Sequence, residues 1–202
     1  ALEHFYTDLW ISPHNIINQF TEKGKGRFHA DLKEAKVKSN PFLQVNSHRV
    51  QENGRSEFDN NFDAWVAKHV LKNKKGSHYF GFSYASVASA KAAKSQGLKV
   101  VLGQINPGPE EAEIVKQAFA QFENGRHKAT VPNQQYWDTW QQEAGLSDVL
   151  MVNSAWSKRA LVKAGIAEQK IAVVPLAYER LQNTSPVFKV YSTERPLKLL
   201  YL

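Results

Sequence analysis

The chain contains no cysteine. Disulfide staples and thiolate zinc centres are therefore excluded, and the composition fits a reducing compartment. No stretch approaches the ~18–20 consecutive apolar residues that a membrane-spanning helix requires, and no secretory leader is expected at the start. The histidines His4, His14, His29, His48, His69, His78 and His127 include no i, i+4 pair and no HExxH motif, so no metal site is expected. There is no internal repeat and no low-complexity segment. What remains is ordinary for a globular protein: 42% hydrophobic and 22% charged residues. The 202 residues suffice for one well-buried domain, or a domain plus a fragment. A formal net charge of +7 favours anionic partners (phosphates, nucleic acid or an acidic membrane) without choosing among them.

The most informative stretch runs from Asp148 to Pro175. Val149 to Val152 is a short apolar run, Ser154 can cap a helix, Gly165 can end it, and Ile171 to Val174 is a second apolar run. Strand, helix and strand within so few residues predict a right-handed βαβ crossover and a parallel sheet. Upstream, Ser77 to Phe82, an Ala-rich helix over 84–96 closed by Gly97, and Leu98 to Ile105 predict another such unit. Phe58 to Lys72 has helical spacing, as has the region of 134–143, and Pro107-Gly108-Pro109 opens a helix with acidic residues in its first turn. Residues 12–57 read as irregular and 182–196 as a linker. Leu2 to Thr7 and Leu197 to Leu202 both read as strands cut short, so the chain is expected to be a piece of a longer protein.

In parallel sheets chemistry sits beyond the carboxyl ends of the strands, which directs attention to Asn153-Ser154 and to Pro175 through Glu179. Gly81-Phe82-Ser83-Tyr84-Ala85 approximates a nucleophile elbow. The chain order then demands an acid followed by a histidine, yet the only later histidine, His127, precedes Asp138 and Asp148; a tight-turn serine lining a cleft is the alternative. Gly76-x4-Gly81 has the glycine spacing of a phosphate loop, but Phe82-Ser83 stand where a lysine and a hydroxyl residue are needed. His14 lies in a loop just after a strand end. Trp156 is expected in the core. Lys23, Lys25, Arg27, Lys33, Lys36 and Lys38 form a basic belt, with Phe28 its one internal aromatic, unlike a single-strand nucleic-acid groove; no nucleic-acid partner is expected.

Three segments in order resemble the late part of the amino-terminal domain of family 4 glycosyltransferases. They are Ser83 through Leu102, with its Ala-Lys-Ser-Gln-Gly run before an apolar strand; Asp148-Val-Leu-Met-Val-Asn-Ser-Ala-Trp-Ser-Lys with Ala164-Gly-Ile; and Lys170-Ile-Ala-Val-Val-Pro-Leu-Ala-Tyr-Glu179. Leu197 to Leu202 resembles the first strand of that family's second domain. The resemblance implies an α/β fold, a Rossmann-like parallel sheet sandwiched between helices, forming one half of a two-domain GT-B enzyme. It divides the chain into an acceptor-side domain (1–181, without its first strand), a linker (182–196) and the start of a donor-side domain (197–202).

It further implies transfer of a sugar from a nucleotide-sugar to a glycan, lipid or small-molecule acceptor, with retention and without a required metal or other cofactor. This piece would be inactive alone, because the paired glutamates that hold the donor belong to the missing carboxy-terminal domain. Such an enzyme is expected in the cytoplasm, with the basic belt against the inner membrane face if the acceptor is a lipid. The cleft candidates are Asp8, His14, Gly81, Ser83, Tyr84, Gln104, Asn106, Asn153, Ser154 and Glu179; none is assigned as a catalytic base. Where the family often places a cleft histidine, this chain has Gly103-Gln-Ile-Asn-Pro107, and amides bind hydroxyls but cannot gain a charge. Ala177 stands for the usual glycine and Glu179 for the commoner aspartate. The competing readings are an α/β serine hydrolase using Ser83 and a non-catalytic sugar- or nucleotide-binding Rossmann module.

Overall fold

A computed structural model describes residues 2–11, 27–32, 35–44, 55–73, 76–122 and 131–177. The elements are β1 (His4–Thr7), β2 (Lys36–Ser39), α1 (Glu57–Lys72), β3 (His78–Phe82), α2 (Val87–Ser95), β4 (Lys99–Gly103), α3 (Pro109–Gln121), α4 (Gln134–Leu146), β5 (Val149–Val152), α5 (Ala155–Lys163) and β6 (Ile171–Val173). Single 3-10 turns flank β2, at Ala30–Leu32 and Pro41–Gln44, and another, Glu168–Lys170, precedes β6. Among the described residues the strands form a pair, β1-β2, and a four-stranded sheet ordered β3-β4-β5-β6; every pairing is parallel. The expected α/β architecture of parallel sheet and flanking helices is present. The proposed linker and second-domain strand lie outside the described residues.

A sheet wound in sequence order by right-handed crossovers collects its helices on one face, and the packing agrees. Leu102, Leu150, Val152 and Ile171 are buried with Trp140 and Ala144 of α4 and Leu161 of α5. Val100 is buried with Ala90 and Ala93 of α2 and Val66 and Val70 of α1. Burying each such large side chain stabilises the fold by about 1.5–3 kcal/mol. α1 also reaches the β1-β2 pair: Tyr6 meets the rings of Trp65 and His69 at 6.0 and 5.6 Å, and Asn73 lies 2.7 Å from His4.

Local signals explain the helix limits. Ser154 caps α5 by accepting from the Ser157 amide at 3.1 Å. Gly97 and Gly165 both take a left-handed φ, at 75° and 91°, and each lets the next amide fold back: Leu98 N–H to Ala93 O, and Ile166 N–H to Leu161 O. That six-to-one bond needs a backbone turn that glycine makes without a Cβ clash. Four expectations are corrected. α2 begins at Val87 rather than Tyr84, because Tyr84 itself has φ 75° and turns the chain before the helix starts. β4 stops at Gly103 rather than Ile105, since Gln104 leaves the strand to bury its side chain. The span 12–57 is not wholly irregular, for it holds β2, whose Lys-Val-Lys-Ser is too short and polar to show as a strand. Trp156 is 45% exposed rather than in the core; Ser157, Ala160 and Leu161 form the buried side of α5, and Trp156 stands about 100° away from Ser157.

Asp148, which opens the most informative stretch, ties β5 to its neighbours. It accepts from the Val100 amide at 2.8 Å and from Lys94 Nζ at 2.9 Å. The amide bond first, and the lysine second, hold its carboxyl below the usual aspartate range. A depressed folded pKa adds stability above the unfolded value and loses it as pH falls through the folded one. Asp148→Ala should therefore lower the melting temperature near neutral pH, with the difference from the parent chain closing in an acid series below about pH 4.

Candidate functional site

The carboxyl ends of β3, β4 and β5 lie side by side, and they carry most of the residues singled out in the sequence. Ser83 and Tyr84 follow β3, Gln104 and Asn106 follow β4, and Asn153 and Ser154 follow β5. Three of them, Tyr84, Gln104 and Asn106, form one structure with Trp140 of α4. Trp140 Nε1 donates to Gln104 Oε1 at 3.0 Å, and Gln104 Nε2 donates to the Tyr84 hydroxyl at 3.1 Å. Tyr84 donates in turn to Asn106 Oδ1 at 2.6 Å, which also accepts from the Gly108 amide at 2.9 Å. An indole N–H and a backbone N–H can only donate. They therefore fix which end of each amide is oxygen, and the network acquires one direction, from buried indole to half-buried asparagine. Burial pushes the Tyr84 hydroxyl far above its ordinary pKa, so it remains a donor.

The turn between β3 and α2 is set by acids the sequence reading did not single out. Glu143, fully buried on α4, accepts from the amides of Tyr84 and Ser86 at 2.7 and 2.6 Å and pairs with the buried Arg55 guanidinium at 2.8 Å. Burial pushes its carboxyl up, while Arg55 and the two amides pull it down. Asp63 of α1 accepts from the amides of Ala88 and Ser89 at 2.7 and 2.8 Å. A helix start after a parallel strand is a ready anion site, and here the chain's own two carboxylates occupy it. The turn thus cannot serve as a phosphate cradle. The signal for Glu143 was an acid at helical spacing from Trp140 and next to Ala144, on the buried side of α4; nothing in spacing marks Asp63 as α2's cap.

Ser83 is 3% exposed, and its Oγ accepts from the Ile105 amide at 3.3 Å. The strained φ belongs to Tyr84, one residue later than a nucleophile elbow requires. Gly81 is packing rather than contact: a Cβ there would come within 2.5 Å of Ser86 Oγ and 2.7 Å of the Tyr79 hydroxyl. Asn153 is exposed, its Oδ1 accepting from Ser157 Oγ at 3.3 Å, and Ser154 is the α5 cap. Asp8 sits at the end of β1 in the other sheet, held by the Thr7 hydroxyl at 3.1 Å and Arg27 at 3.5 Å; it is not part of the network. His14 and Glu179 lie outside the described residues, as do Lys23, Lys25 and Lys33 of the basic belt. Among the described residues no cluster of His, Asp and Glu could hold a metal ion, and no helix is long and apolar enough to cross a membrane.

Comparison with protein-family models, curated proteins and solved structures returns no match. The chemistry must therefore be read from the geometry: a hydrogen-bonded set of amide and hydroxyl groups at the adjacent ends of β3 and β4, able to bind hydroxyl-bearing ligands. Removing one partner of a buried ion pair costs about 3–5 kcal/mol. Glu143→Ala, which would leave Arg55 buried without its carboxylate, should lose about that much in a denaturant unfolding series.

Proposed function

We propose that the chain is the amino-terminal, acceptor-side half of a retaining, two-domain GT-B glycosyltransferase of family 4. The observation that carries the reading is the gathering of Tyr84, Gln104, Asn106 and Asn153 at the carboxyl ends of three adjacent parallel strands, where open α/β sheets bind ligands. Two features support it. The strand order β3-β4-β5-β6 is that of one half of a doubly wound sheet. Among the described residues the pairing breaks between β1 and β3 although α1 packs on both sheets, and one further parallel strand, which the family's fold has, would join them.

On this reading the nucleotide-sugar is held mainly by the carboxy-terminal domain, through its paired glutamates, and this domain positions the acceptor hydroxyl. The described residues at the ends of β3, β4 and β5 offer no group that could take that hydroxyl's proton, so on this reading the departing phosphate acts as the base. Positioning then supplies most of the acceleration this half provides. The enzyme works at the cytoplasmic face of the membrane when its acceptor is a lipid, with the basic belt toward the acidic surface.

The test is a transfer assay on the protein carried past Leu202, with labelled UDP-, GDP- and ADP-sugars and mixed acceptors. The expected result is a product of retained anomeric configuration, unaffected by EDTA, with Ser83 unlabelled by a fluorophosphonate probe. Labelling of Ser83 without sugar transfer would replace this reading with a serine hydrolase.

A further inference from the structure

We draw no further inference here: the strongest candidate, the sheet face on which Phe80 and Phe82, 47% and 59% exposed, lie over Gly103 beside Val101, Val149 and Met151, carries nothing because nothing in the structure shows what covers it.

Discussion

The carboxylate of Glu143, held between the Arg55 guanidinium and the amides of Tyr84 and Ser86, fixes the geometry of the strand ends. An ionised group with no exposed surface is costly unless every lone pair has a donor, and three donors converge on this one. The arrangement forces Tyr84 into its left-handed φ. That backbone conformation aims the tyrosine ring at Tyr136, 5.0 Å away in a stack, and its hydroxyl at Asn106. Trp140, one turn before Glu143 on the same helix, sets Gln104. A single face of α4 therefore arranges the loops after β3 and β4 together.

This arrangement has a functional consequence. In many parallel α/β proteins the first helix after a strand end meets a phosphate. Here α1 and α4 supply that anion from within, through Asp63 and Glu143, and the positive end of α2 is spent on structure. The surface beyond it is amide, hydroxyl and apolar.

Much of the fold could be read from the residues because its signals are local. Ser154 before Ala155, and Gly97 and Gly165 before Leu98 and Ile166, state where helices start and stop within a few residues of chain. The apolar runs at 100–102 and 149–152 mark β4 and β5, whose inward residues Val100, Leu102, Leu150 and Val152 are buried. Tyr84, Gln104 and Asn106 come together for the same reason: neighbouring parallel strands end side by side. What stayed hidden is non-local. Glu143 meets Tyr84 across 59 residues, and Asp63 meets Ala88 across 25; no spacing rule links positions so far apart. Trp156 misled because an aromatic one turn from Ala160 looks like core, whereas its angular position depends on which residues face the sheet.

The dependence of the strand ends on Glu143 is tested most directly by hydrogen exchange of the Tyr84 and Ser86 amides. Turn amides ordinarily exchange fast. The structure requires both to be protected to the level of the β4 core, since each is buried against the same carboxylate. Exchange of either at the rate of an open loop would contradict the account and detach α4 from the site it is said to build.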